Sequence, residues 1–311
     1  MPRLTLARHA MNTRFELVLH GDNPVSLRAA GEAALEEVGR IERQMSLFNP
    51  TSEIGRVNAL AAHEPVRVSP EVFALLAKAQ RLSRETKGTF DITMAPLLRC
   101  WGLLGYNDGR VPTDEELSAT RSVCGMSLVE MDASRFTVRF QREGVMLDLG
   151  AIGKGYAVEE AMEILRESGV EAALLHGGTS TVAAIGRPPD EPTWSVAVEV
   201  PGLAQPLRIP LRDEALSVSA VSGKSFIANG QTLGHVLDPR SGRPVAGAHM
   251  AAVVLPSATE TDALSTALLV GGVASYESMF KLRPGIRALV AGPGSDGSPQ
   301  ARATGIELPP G

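Results

Sequence analysis

The chain has 311 residues, 44% hydrophobic and 21% charged, and its 30 Lys and Arg against 35 Asp and Glu give a net charge of −5. That composition excludes wholesale disorder and argues against a general nucleic-acid binder, which needs a basic surface. Two cysteines without CxxC spacing, Cys100 and Cys124, exclude a disulfide framework, and the longest uncharged apolar run, residues 263–276, is well short of the ~20 residues of a membrane span.

At this length two domains, or one domain with two lobes, are expected. The first residues carry no apolar signal core, no lipobox cysteine and no small-residue cleavage site. The expected location is therefore cytoplasmic, or exported if a leader has been removed. A half-buried strand is predicted over 14–20, where Phe15, Leu17 and Leu19 share one face. After a Gly-Asp-Asn-Pro turn, a helix runs to about Met45 with Leu27, Ala30, Ala34, Val38 and Ile41 on its stripe. Ser69 and Pro70 start a second helix that buries Leu75, Leu76, Ala79 and Leu82 and ends at Gly88. Thr113 to Glu116 is a capping box before a short helix. The period then shortens, giving strands over 127–131, 136–140 and 145–149, a helix over 153–168, and strands over 172–175, 182–185, 194–200, 207–211, 216–218 and 232–237. A strand over 251–255, helices over 261–269 and 273–281 and a strand over 286–290 close the pattern. The Gly-, Ser- and Pro-rich stretch 292–311 reads as a loosely held tail. Consecutive strands outnumber βαβ units, so the fold class is α+β with antiparallel sheets.

Several familiar signatures fail. Gly223-Lys224-Ser225 ends like a P-loop, but Val218 stands where its first glycine belongs. There is no G-x-S-x-G elbow, and the six histidines show no HExxH spacing. Other segments carry chemistry. Asp148 to Tyr156 joins a strand end to a helix start through Gly150, Gly153 and Gly155, which suits an anion but equally suits a tight turn capped by Asp148. His235 precedes Asp238-Pro239-Arg240-Ser241-Gly242, a base beside a polar turn or simply a turn. Asp262 and Thr266 share one face at a helix start, where hard oxygens suit Mg2+ and where a first-turn acid also balances the helix dipole. Gly88 to Thr93 with Trp101-Gly102, and Gly177-Gly178, allow close backbone approach to a ligand and equally read as loop punctuation.

Taken together, and colinear from Met11 to Gly272, these segments resemble the ApbE family, the FAD:protein FMN transferases. Met11-Asn12-Thr13 is similar to the family's Met-Gly-Thr strand start. Met45-Ser46-Leu47-Phe48, Ser52 and Asn58 follow its Met-Ser-x-aromatic, Ser and Asn pattern. Gly88 to Gly102, Asp148 to Ala157, the paired glycines, Ser217 to Gly223, His235 to Gly242 and Asp262 to Thr266 match its later blocks in order. The chain departs from the pattern at Asn12, at Thr179 (usually an acid) and at Val221 (usually Thr).

The resemblance implies a two-lobed, T-fold-like α+β architecture. One domain would span 1–311, made of two intertwined lobes with FAD between them. It implies that Mg2+ neutralises the pyrophosphate and that a Ser or Thr hydroxyl of a flavin-accepting target protein attacks the FMN-side phosphorus. AMP leaves, and FMN stays on the target through a phosphoester. Some relatives instead hydrolyse FAD to FMN and AMP, and a flavin-binding protein without turnover is a third reading. Carried over by position, Met11, Phe48, Thr89, Phe90, Asp91, Asp148, Lys154 and Leu237 match flavin-nucleotide contacts. Ala151 (through its carbonyl), Asp262, Ser265 and Thr266 match the metal site, and His235 matches the proposed base.

Overall fold

The computed structural model describes residues 2–104, 111–221, 225–228, 231–293 and 299–309. The chain opens with a hairpin, β1 (Arg3–Ala10) and β2 (Thr13–His20). Helix α1 (Pro24–Met45) follows, its first N–H groups capped by Asn23, whose side chain accepts from Val25 and Ser26. Next come α2 (Glu53–Leu60), β3 (Val66–Arg67), α3 (Pro70–Glu85), α4 (Ala95–Cys100), α5 (Asp114–Arg121), β4 (Val129–Asp132) and β5 (Thr137–Phe140). The expected Ser69 cap and the Thr113–Glu116 capping box both form. Then follow α6 (Gly153–Glu167), β6 (Ala172–Gly177), β7 (Thr181–Ile185), β8 (Trp194–Val198), β9 (Leu207–Leu211) and β10 (Ala215–Ala220). The last part holds β11 (Ser225–Ala228), β12 (Gln231–Gly234), β13 (Leu237–Asp238), β14 (Arg243–Pro244), β15 (Met250–Leu255), α7 (Ala258–Met279), β16 (Arg287–Pro293) and β17 (Pro299–Thr304).

Among the described residues one antiparallel sheet dominates, in the order β1-β2-β6-β7-β10-β15-β16-β17. Period-2 alternation divides its residues between two faces. Phe15, Leu17, Leu175, Val253 and Val290 pack under α1, α6 and α7 in the main core. Val18, Leu174, Val182, Leu216 and Val254 pack on the opposite face against the β8–β9 hairpin with Trp194, Val196 and Ile209. A three-stranded sheet, β3-β5-β4, lies with α2 and α3. Its Val66, Val138 and Phe140 belong to the same apolar cluster as the helical face of the large sheet. A smaller cluster gathers Met94, Leu97, Trp101, Leu117 and Leu237. There the Trp101 ring N–H donates to the Gly242 carbonyl at 2.6 Å. Arg283 ties α3 to α7, bonding Glu85 at 2.8 Å and Glu260 at 2.6 Å.

The antiparallel α+β expectation is met, and local expectations change in several places, the short α2, β3, α4, β11 and β14 being additions. β1 was not anticipated, because charged side chains on an edge strand mask its alternation. Residues 145–149 form no strand and are held by hydrogen bonds from outside the sheets. The strand expected over 232–237 is broken between β12 and β13, at His235 and Val236. The two helices expected at 261–281 are one element kinked at Gly272, where φ is 58°. The stretch 292–311, expected to be loosely held, contributes β17, which pairs with β16 from Ala288↔Thr304 to Pro293↔Pro299. Ala301 and Ala303 bury one face of that strand, and Ile306 joins the same cluster. Among the described residues no helix is long and apolar enough to cross a membrane, and both cysteines are free thiols.

Candidate functional site

The first turns of α6 and α7 meet at Gly155. Any Cβ at this position would collide with the Ala258 carbonyl and with the Asp262 Cβ, so only glycine permits the approach. The closeness gives a helix-end donor its partner. Because α6 begins at Gly153 with Ile152 as N-cap, the Gly155 N–H is one of the first-turn donors that has no partner within the helix. Here it donates to Asp262 Oδ2 at 2.9 Å. Asp262, 4% exposed, therefore sits on the positive end of α6. The Ala151 carbonyl, one residue before the N-cap, and Asp262 Oδ1 take no hydrogen bond among the described residues.

The turn before α6 completes this corner. The Asp148 N–H donates to the Ile92 carbonyl at 2.7 Å, and Asp148 Oδ1 accepts the Gly150 N–H at 2.9 Å. Burial pushes the Asp148 carboxyl above the usual carboxylate range, against the opposing pull of the Gly150 N–H and the Lys154 ammonium. The helical face of β10 carries hydroxyls in place of apolar side chains. Ser217 bonds Thr261 at 2.9 Å, and Ser219 bonds Ser265 at 2.9 Å and Thr266 at 3.2 Å. Ser265 and Thr266 also donate to the Asp262 carbonyl at 3.0 and 3.3 Å. This polar seam fixes the rotation of α7 and with it the aim of Asp262. Glu159 on α6 adds a cross-helix cap, accepting from the Ser257 hydroxyl at 2.5 Å and the Thr259 N–H at 2.8 Å.

Among the described residues no cluster of three or more His, Cys, Asp or Glu forms. The oxygens at the α6–α7 corner are of another kind: one carboxylate oxygen, an open carbonyl and a partly exposed Thr266 hydroxyl. Such a set fits a hard cation that keeps waters and takes its remaining ligands from phosphates. Ser265 fits less well: both hydroxyls bond Ser219 and the Asp262 carbonyl, but Ser265 is fully buried while Thr266 is partly exposed.

The residues matched to flavin contacts divide into two groups. Met11 lies in the β1–β2 turn at φ 50°, its N–H held by Glu42 Oε1 at 2.6 Å. Phe48, just beyond α1, is 74% exposed, an aromatic face open to a ligand. Lys154 is half-exposed on the first turn of α6. By contrast Phe90 is buried, and Leu237 is buried in the cluster around Trp101. Thr89 is buried too, its hydroxyl donating to the Thr86 carbonyl at 3.0 Å. Both Asp91 oxygens are taken up inside the protein. One accepts the Thr93 N–H and hydroxyl at 2.7 and 2.5 Å, and the other accepts Ser83 at 3.3 Å and the Met126 N–H at 3.1 Å. Asp91 thus organises its loop, and these four side chains are engaged inside the protein. His235 is half-exposed between β12 and β13. Part of the Ser217 to Gly223 block, residues 222 and 223, lies outside the described residues. The sequence reading missed the roles of Gly155, Glu42, Ser219 and Glu159. A spacing pattern contains Gly155 and Ser219 but does not reveal what they touch.

A family model described as the ApbE family matches residues 11–290. A FAD:protein FMN transferase of Vibrio cholerae is 30% identical over 253 residues, covering 79% of this chain and 74% of that protein. One from Treponema pallidum is 27% identical over 287 residues, covering 85% and 79%. Among solved structures, the ApbE protein of Thermotoga maritima superposes with a TM-score of 0.84 at 28% identity, covering 96% of both chains. The flavin transferase ApbE from Vibrio cholerae gives 0.84 at 26%, covering 98% and 97%.

Proposed function

This chain belongs to the ApbE family, and from that premise we propose that it is a Mg2+-dependent FAD:protein FMN transferase. The observation that carries the proposal is the bond from the first-turn Gly155 N–H to one Asp262 oxygen, which sets Asp262 at the start of α6 with its other oxygen open, near the unbonded Ala151 carbonyl of the preceding turn. These two oxygens and the Thr266 hydroxyl would hold Mg2+. The cation supplies charge neutralisation at the diphosphate, lowering its repulsion of an incoming oxygen.

The chain's own residues set the rest. The N-terminus of α6 and the Lys154 ammonium favour the diphosphate's negative charge. The exposed ring of Phe48 offers a stacking face for the isoalloxazine. His235 suits a general base by type, taking the proton from a Ser or Thr hydroxyl of the target. The hydroxyl oxygen then bonds to the FMN-side phosphorus, the bond to the AMP oxygen breaks with its electron pair, and AMP departs. The target keeps FMN through a phosphoester.

The test is incubation of the full chain with FAD and Mg2+, with and without Ser- or Thr-containing acceptors, followed by mass spectrometry. AMP release coupled to FMN on the acceptor supports transfer. AMP and free FMN regardless of acceptor would identify a pyrophosphatase, and FAD retained unchanged would identify a flavin-binding protein.

A further inference from the structure

We propose that Asn58 is a positioning residue and that α2 acts as a spacer between the flavin-ring end and the diphosphate end of the site. The inference rests on the FAD reading above. Asn58 makes a two-way bond to one residue. Its Nδ2 donates to the Leu147 carbonyl at 2.9 Å, and the Leu147 N–H donates to its Oδ1 at 2.7 Å. One side-chain amide thereby does for Leu147 what a neighbouring strand would do, in a stretch that has no ladder partner of its own. The next residue is Asp148, whose N–H is pinned to the Ile92 carbonyl. The backbone entering the Asp148 turn is thus clamped at two successive residues.

The other end of α2 is fastened to the segment that carries Phe48. Ser52, 3% exposed, caps the helix by accepting the Gly55 N–H at 2.8 Å and donates back to the Ser46 carbonyl at 2.6 Å. A Cβ on Gly55 would collide with the Asn49 carbonyl, so the helix lies directly on that segment. From the Ser52 cap to Asn58 is six residues of helix, roughly 9 Å. A dinucleotide that uses both ends must match this fixed offset. Asparagine suits the task by type, since aspartate cannot donate to Leu147 and alanine does neither job. Asn58 is half-exposed in an open cleft beside Ala59, His63 and Met146, so replacing it removes little packing.

The test compares a ligand that spans both ends with one that uses a single end. Wild type, Asn58→Ala and Asn58→Asp are titrated with FAD and with riboflavin by flavin fluorescence, with thermal melts alongside. Loss of both bonds in Asn58→Ala, and of the donated bond with carboxylate–carbonyl repulsion in its place in Asn58→Asp, is expected to weaken FAD binding about tenfold. Riboflavin affinity should change less than about twofold and the melting temperature by only a few degrees. FAD affinity within about twofold of wild type in a folded variant overturns the proposal, as does equal weakening of both ligands. Should Asn58→Ala fail to fold, the near-isosteric Asn58→Asp carries the comparison. A wild-type chain that binds no FAD would instead refute the functional reading itself.

Discussion

The two faces of β10 carry opposite chemistry one residue apart. Ser217 and Ser219 face α7 and bond Thr261, Ser265 and Thr266. Leu216 and Val218 point the other way, into the apolar cluster that holds Val196 and Ile209 of the β8–β9 hairpin. An apolar face needs only shape and volume, and it tolerates small rotations of its neighbour. A buried hydroxyl needs a partner at a fixed distance and angle, and so fixes rotation. The helix whose rotation is fixed is the one that carries Asp262. The difference teaches that one sheet divides its labour, stability on one face and aim on the other.

The comparison can be broken by mutation. Asp262→Ala should have the largest effect, lowering Mg2+-stimulated AMP release from FAD by roughly 10²–10³-fold while the thermal transition stays cooperative. Undiminished Mg2+ stimulation would remove the metal assignment. On the far face, Leu216→Ala should cost about 2–5 kcal/mol in urea unfolding and leave the FAD Kd and the Mg2+ requirement unchanged. Ser219→Ala should invert that profile. Its cost in stability is about 1 kcal/mol, yet Mg2+-dependent turnover should drop about tenfold as Thr266 and Asp262 lose their aim. If Leu216→Ala impairs metal use as much as Ser219→Ala does, the division between faces is wrong.

The smallest effect concerns pH. Burial, the largest single influence on Glu260, acts to raise its pKa. The hydrogen bonds and charge of Arg283, with Arg81 and Lys78, outweigh it and leave the pKa below 4.5. The folded state therefore binds this proton less readily than the unfolded chain. The contribution is fully present above pH 4.5 and is lost as pH falls through the lower folded value. Urea midpoints of wild type and Glu260→Gln should converge as pH falls from about 6 to about 3. Parallel curves would show that the Glu260–Arg283 link adds nothing.

Much of this was legible in the residues. The caps at Ser69 and Thr113, the stripe of α1 and the glycines around Asp148 were readable because each is a local pattern. The order of segments from Met11 to Gly272 was enough to suggest the family. Pairings across long stretches of chain were not legible. Ser217 meets Thr261, Asn58 meets Leu147 and Gly155 meets Asp262 only after sheet and helices have assembled. Asp91 and Ser265 show the converse. Their types suited ligand contact, but their polar atoms are consumed by neighbours that spacing does not disclose.

The account turns on whether the open oxygens at the α6–α7 corner hold a divalent cation. Asp262→Asn keeps an acceptor for the Gly155 N–H and removes only the charge, so it separates metal binding from helix packing. Mn2+ titration of the FAD-saturated protein, followed by electron paramagnetic resonance, measures this directly. The account predicts one site in wild type, weakened at least about tenfold in Asp262→Asn with FAD still bound; equal Mn2+ affinity in the two proteins would contradict it.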